Sequence, residues 1–161
     1  MKLHLGCGSI RLPGYVNTDT ENWSGKCDVV CDARNLSQWS DVEEVYSHSV
    51  LEHIPPWDTE HTLTEWFRVL KPGGIVRVEV PDLERCYEDW KAGLIGETEY
   101  INNVYGGNKA PGRKFAATQH HLTGFTFAIL SRILAQVGFV DVQRYEHETY
   151  HHCLAMRARK P

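Results

Sequence analysis

The stretch Leu3-His4-Leu5-Gly6-Cys7-Gly8 constrains this chain more than any other. A short apolar segment runs into two glycines one residue apart, and a carboxylate, Asp19, closes the next apolar segment. Without Cβ atoms at residues 6 and 8, the backbone turns tightly and brings its N–H groups close to a ligand. Asp19 then sits where a carboxylate accepts hydrogen bonds from a ribose diol. Only residues 6–15 separate the two segments, and Pro13-Gly14 marks a turn within them. A parallel crossover takes about 10–12 residues including its helix. The first crossover helix is therefore expected to be shortened or absent.

Further strands are expected over residues 28–32, 42–48 and 75–80. Asp58 or Thr59 would cap a helix whose Leu63, Trp66, Phe67 and Leu70 follow i, i+3, i+4, i+7, and Lys71-Pro72-Gly73-Gly74 would stop it. Arg77 and Glu79 share one face of the central strand, so that face must supply polar partners; cross-strand pairing with the last strand, at Arg157, is predicted. Asp82 is expected to cap a helix carrying Leu83, Cys86, Tyr87 and Trp90, with another helix over 100–105. The glycine-, proline- and lysine-rich residues 106–114 suit a lid. Thr126 caps a helix burying Phe127, Leu130, Ile133, Leu134 and Val137, with Gly138 after its end. Residues 139–145 and 150–157 leave no room for a crossover between them, so they should form an antiparallel pair.

With 161 residues and 42% apolar composition the chain suits one domain, 1–161, with 83–124 as a cap or lid insertion. A net charge of -4 provides no electrostatic footprint for nucleic acid or an anionic membrane. No run has membrane length and no secretory leader is evident, so a cytoplasmic protein is expected. The five scattered cysteines suit reduced thiols, and Cys27 and Cys31 lack two further ligands for zinc. A homodimer is compatible with this reading.

Taken in order, His4-Leu5-Gly6-Cys7-Gly8, Asn17-Thr18-Asp19, Asp32-Ala33, Ser49-Val50-Leu51-Glu52-His53, Arg68-Val69-Leu70-Lys71-Pro72-Gly73-Gly74 and Gly138-Phe139 resemble the successive motifs of class I S-adenosylmethionine-dependent methyltransferases. The resemblance spans nearly the whole chain. It implies a Rossmann-like three-layer α/β sandwich with a mostly parallel seven-stranded sheet, order 3-2-1-4-5-7-6 and strand seven antiparallel, which agrees with the terminal hairpin read from the residues. It also implies S-adenosylmethionine as cofactor. Gly6, Cys7 and Gly8 would lie against its methionine part, Asp19 at the ribose, Asp32 and Ala33 at the adenine, and Ser47, His48 and Ser49 beside the sulfonium. The chain departs from the family at His4, where an acidic residue is often found.

The implied chemistry is methyl transfer to a small-molecule or sugar-like acceptor, with no nucleic acid or membrane partner. His120, His121 and His48 are the candidate general bases, because histidine accepts a proton near neutral pH. Glu52-His53 resembles the end of the Glu-x-x-Glu-His metal site of some O-methyltransferases, with Ser49 in place of the first glutamate; His120 or His121 could complete a remnant, but no metal is expected. Two rival readings remain. An NAD-dependent oxidoreductase would need a third glycine where Arg11 stands, and Leu12-Pro13 replaces the helix that would hold a pyrophosphate. A non-catalytic cofactor-binding domain would keep the fold and lose the chemistry.

Overall fold

Alternation along the strands sorts the side chains into two unlike faces. In the computed structural model, which describes residues 1–22, 24–107, 120–147 and 151–161, the strands are β1 (Lys2–Leu5), β2 (Val16–Asp19), β3 (Val29–Val30), β4 (Val42–His48), β5 (Leu70–Pro81), β6 (Val140–Tyr145) and β7 (Cys153–Arg159). They form one sheet of order β3-β2-β1-β4-β5-β7-β6, with β7 antiparallel to both neighbours and the other pairings parallel. Register places Leu3 beside Val45, Val76 and Ala158, and Leu5 beside Ser47, Val78 and Met156. Residues two apart share a face, so this face is almost wholly apolar.

Two helices cover it: α1 (Pro56–Val69), with Leu63, Trp66 and Val69 buried, and α4 (Phe127–Val137), with Leu130 and Leu134 buried, whereas Phe127, expected to be buried, is exposed at the first turn. Thr126 accepts from the Ile129 N–H at the start of α4, and left-handed Gly138 ends it, as the sequence predicts. The opposite face carries His4, Tyr46, Arg77 and Arg157 in one row across the sheet. No helix lies between β1 and β2, so the shortened crossover leaves this face to its own side chains. The remaining helices, α2 (Leu83–Lys91) and α3 (Glu97–Tyr105), follow the end of β5, with Asp82 capping α2 by accepting from the Arg85 N–H at 3.3 Å.

Several boundaries differ from the sequence expectation. Helix α1 begins at Pro56, after Pro55 rather than after a cap at Asp58 or Thr59, because proline is preorganised for the first helical position. Lys71-Pro72-Gly73-Gly74 does end the helix, but β5 already includes it. There the Gly73 N–H donates to the Lys160 carbonyl at 3.0 Å and the Lys160 N–H to the Gly74 carbonyl at 2.9 Å, so the end of the chain recruits the turn. Strand β3 shrinks to two residues, and β7 starts at Cys153 and runs on to Arg159. Residues 108–114 of the expected lid lie outside the described residues.

Arg77 does stand opposite Arg157, but the two do not supply each other's partners. Arg77 reaches Glu44 and Glu79, each at 3.5 Å, while Arg157 donates to Gln143 at 2.9 Å. The two like charges turn away from each other, Arg77 to carboxylates that neutralise it and Arg157 to a neutral amide oxygen.

One buried contact ties this core to the upper edge of the sheet. Trp66 is fully buried in α1, and its indole N–H donates to the Ala33 carbonyl at 2.8 Å. Trp66→Phe removes the donor, leaves that carbonyl unsatisfied, and is expected to cost about 1–3 kcal/mol; urea unfolding with an unchanged m-value is the measurement.

Candidate functional site

Parallel strands deliver the ends of β1, β2, β3, β4 and β5 to one edge of the sheet, and the site is built there. Gly6 and Gly8 adopt φ of 66° and 52°, in the left-handed region that favours glycine. A Cβ at Gly6 would come within 2.3 Å of Val50 Cγ2, whereas one at Gly8 would meet nothing within 4 Å. Gly6 is thus needed for packing against the segment after β4, and Gly8 borders open space. The Gly8 N–H donates to Asp19 Oδ2 at 2.8 Å and the Thr20 N–H to Oδ1 at 2.7 Å, so the carboxylate at the end of β2 fixes the turn after β1.

His4 and Asn17 brace this turn from below. His4 is buried, stacks on Tyr46 with ring centroids 5.3 Å apart, and lies with Nδ1 2.9 Å from Asn17 Oδ1, which also accepts from the Leu12 N–H at 2.8 Å. Burial pushes its pKa below the ordinary histidine value, outweighing the Asn17 contact. The residue standing where the family often carries an acid is therefore a neutral strut under the loop. After β3, Asp32 accepts from Arg34 Nε at 3.0 and 3.1 Å, and this hydrogen bonding holds its carboxyl below the usual range. Ala33 next to it is buried.

The ends of β4 and β5 carry the most connected group. Glu79 is 1% exposed and accepts from Tyr46 at 2.7 Å and from Tyr145; His48 Nδ1 lies 2.8 Å and His147 Nε2 3.4 Å from its Oε2. Burial alone would raise its pKa, but the hydrogen bonds from His48, Tyr145 and Tyr46 prevail and bring it down to about 2. The same burial and Glu79 contact push both tyrosines up. Ser47 Oγ is buried with no hydrogen-bond partner among the described residues, and Ser49 turns the chain with φ of 53° while its N–H donates to the Glu79 carbonyl at 2.9 Å.

Next comes a short 3-10 turn, Leu51–His53, to which residues 120–123 return. The Leu122 and Thr123 N–H groups donate to the Glu52 carbonyl at 2.7 and 3.0 Å, and His53 Nδ1 lies 3.0 Å from the His120 carbonyl. Burial pushes the Glu52 carboxyl up to about 7 and lowers His53. Among the described residues, two groups have ligand atoms close enough for a metal ion: His48, Glu79 and His147, and Glu52, His53 and His121. Beyond β5 and β6, a cavity of about 350 Å³ is lined by Asp82, Arg85, Arg144, Tyr145, His147 and Cys153 among others, with Arg144 paired to Asp82.

The structure therefore brings Gly6, Cys7, Gly8 and Asp19 together, sets Asp32 and Ala33 at the end of the neighbouring strand, and puts Ser47, His48 and Ser49 at the end of β4. His121 joins the turn after β4, whereas the His120 side chain is exposed and the residue meets that turn through its carbonyl. Sequence reasoning missed Tyr46, Tyr145 and His147 as neighbours of His48. The available signal was Glu79 itself, a carboxylate in an otherwise apolar strand.

Comparison with known proteins shows the fold and a partial domain match. A family model described as a methyltransferase domain matches residues 16–78. A SAM-dependent methyltransferase from Archaeoglobus fulgidus superposes at TM-score 0.67 and 17% identity, covering 99% of this chain and 85% of the other. One from Thermotoga maritima, described as a possible histamine N-methyltransferase, does so at 0.64 and 15%, covering 99% and 81%. The Burkholderia thailandensis 1,6-didemethyltoxoflavin-N1-methyltransferase, solved with its acceptor and S-adenosylhomocysteine, matches at 0.60 and 20%, covering 99% and 70%. No curated protein matches in sequence. The fold is the Rossmann-like methyltransferase fold with the expected strand order. Part of the chain matches a methyltransferase-domain model, and the solved structures it superposes on are S-adenosylmethionine-dependent methyltransferases.

The residues present fit that cofactor, since open space borders Gly8 and an unpartnered hydroxyl, Ser47 Oγ, is buried at the same edge. Asp19→Ala frees the Gly8 and Thr20 N–H groups, and is expected to weaken S-adenosylhomocysteine binding at least about tenfold by calorimetry while the domain stays folded. Glu79 supplies a pH signature. Its folded pKa lies below the unfolded value near 4.5, so its stabilisation is complete above about pH 4.5 and is lost as pH falls toward 2. Glu79→Gln should flatten that part of the acid-unfolding curve measured by circular dichroism.

Proposed function

We propose that the protein transfers the methyl group of S-adenosylmethionine to a hydroxyl of a small, polar, sugar-like acceptor in the cytoplasm, with His48 as general base. The observation that carries this reading is the His48–Glu79 pair at the end of β4, 2.8 Å apart, with Glu79 buried beneath it. An ionised carboxylate only accepts hydrogen bonds, so His48 Nδ1 carries the proton and Nε2 is the basic nitrogen. Tyr46 and Tyr145 hold Glu79 in place, which orients the ring much as a buried carboxylate orients a catalytic histidine. The polar lining of the neighbouring cavity favours an acceptor rich in hydroxyl groups over an apolar one.

When bound, the cofactor supplies a methyl group already activated on a sulfonium. The chain's share is to orient the two reactants and to take one proton. In this reading Gly6, Cys7 and Gly8 cradle the methionine part, Asp19 binds the ribose, Asp32 and Ala33 border the adenine, and Ser47, His48 and Ser49 flank the reacting end. His48 Nε2 receives the acceptor's hydroxyl proton as the oxygen attacks, and Glu79 stabilises the resulting imidazolium.

The test is a panel of sugars and polyhydroxylated small molecules assayed for S-adenosylhomocysteine release. His48→Ala should lower kcat on the active acceptor about 10²–10⁴-fold and leave cofactor affinity within about threefold. Cofactor binding without turnover on any acceptor would support the non-catalytic reading instead.

A further inference from the structure

We propose that Asn17 is the positioning residue for the glycine turn that receives the methionine part of the cofactor, standing in for the crossover helix this chain lacks. Asn17 lies on β2, is fully buried, and uses both ends of its side-chain amide. Its Oδ1 accepts from the Leu12 N–H at 2.8 Å, and its Nδ2 donates to the Leu12 carbonyl at 3.2 Å and to the Tyr15 carbonyl at 3.0 Å. One side chain thus pairs with both backbone groups of Leu12, as a neighbouring strand would. Residues 11–15 contain no helix or strand, so their backbone groups need such a partner wherever water is excluded.

The same amide reaches the other side of the turn. His4 Nδ1 lies 2.9 Å from Asn17 Oδ1. That oxygen only accepts, so the buried His4 ring carries its proton on Nδ1 and donates it to Asn17. His4 precedes and Leu12 follows Gly6-Cys7-Gly8 in the chain, and one oxygen holds both. The next residue along β2 closes the turn further: the Thr18 carbonyl accepts from the Cys7 N–H at 2.9 Å, and Thr18 Oγ1 donates to the His4 carbonyl at 3.2 Å.

Asp28 fixes the amide from behind. Its Oδ2 accepts from the Asn17 backbone N–H at 2.9 Å and from Nδ2 at 3.1 Å, and Arg11 pairs with its Oδ1. The two hydrogen bonds from Asn17, backbone first, and the one from Arg11 hold the Asp28 carboxyl down at about 2, so the anchor stays ionised. A carboxylate there decides which way the amide points, because only the Nδ2 end can face it. Beyond the clamp, the Tyr15 hydroxyl donates to Glu44 on β4 at 2.7 Å, which ties the end of the segment to the sheet. A loop held in this way before the ligand arrives lowers the ordering cost of binding. The assignment rests on the proposed placement of Gly6, Cys7 and Gly8 at the methionine part; the hydrogen-bond clamp itself does not.

The test is calorimetric titration of the full chain with S-adenosylhomocysteine and with 5′-methylthioadenosine, which keeps the adenosine and the sulfur but lacks the amino-acid part. Asn17→Asp preserves size and the Oδ1 acceptor, removes the donor to Leu12 and Tyr15, and sets a second carboxylate against Asp28. It should weaken S-adenosylhomocysteine binding at least about tenfold and 5′-methylthioadenosine binding less than about threefold. Adding Asp28→Asn restores a donor at that contact and should recover at least about threefold of the lost affinity. Equal losses for the two ligands mark a merely structural role and overturn the proposal, as do wild-type affinities in Asn17→Asp or a double variant no better than the single one. Should Asn17→Asp fail to fold, Asn17→Ser takes its place. Amide exchange on the unliganded wild-type chain needs no variant: the Leu12 N–H should exchange at least about tenfold more slowly than an unstructured amide, and unprotected exchange there refutes the clamp. A wild-type chain that does not bind S-adenosylhomocysteine overturns the proposed function and this assignment together, whereas binding with equal losses for both ligands overturns this assignment alone.

Discussion

A carboxylate buried near the end of the central strand organises the face of the sheet opposite α1 and α4. Glu79 collects Tyr46 and His48 from β4 and Tyr145 from β6, with Arg77 from its own strand alongside. Desolvating a charge is expensive unless several donors replace the lost water, and here they outweigh burial enough to keep the group ionised. The donors come from strands on both sides of β5. The network therefore draws these strands' polar side chains together on a face where the short connection between β1 and β2 supplies no covering helix.

That division of labour also explains how the site is positioned. The apolar face, packed by α1 and α4, holds the sheet rigid; the polar face and the upper edge are free to carry chemistry. Trp66 joins the two functions, since its indole sits in the core and its N–H holds the segment after β3. Asp19 does the same at the next strand by fixing the glycine turn through backbone N–H groups. Such ties matter because a loop contributes to binding only when its geometry is set before the ligand arrives.

The sequence was most legible where one physical rule dominated. Periodicity and caps located α4 from Thr126 to Gly138, and the lack of crossover length foretold the antiparallel β6–β7 pair. Legibility fell where a distant segment intervened. Lys71-Pro72-Gly73-Gly74 reads locally as a stop, yet Lys160 pairs with it and extends β5. Arg77 and Glu79 announced a polar face, but the partners follow from side-chain reach across the sheet rather than from register alone. Glu52 and His53 drew notice as a pair; that His121 lies beside them depends on the return of residues 120–123 to the turn after β4.

By itself, the sequence determined the strand–glycine turn, the missing first crossover helix and the strand order implied by its motifs, because each follows from local steric rules or from an ordered set of motifs. Only the tertiary structure decided that Asp19 shapes the loop, that His4 is a neutral strut, that His48 rests on Glu79 and that Glu52 is buried unmatched beside two histidines. Those outcomes depend on which side chains converge across strands far apart in the chain. They also depend on how much water the convergence removes, and residue spacing encodes neither quantity.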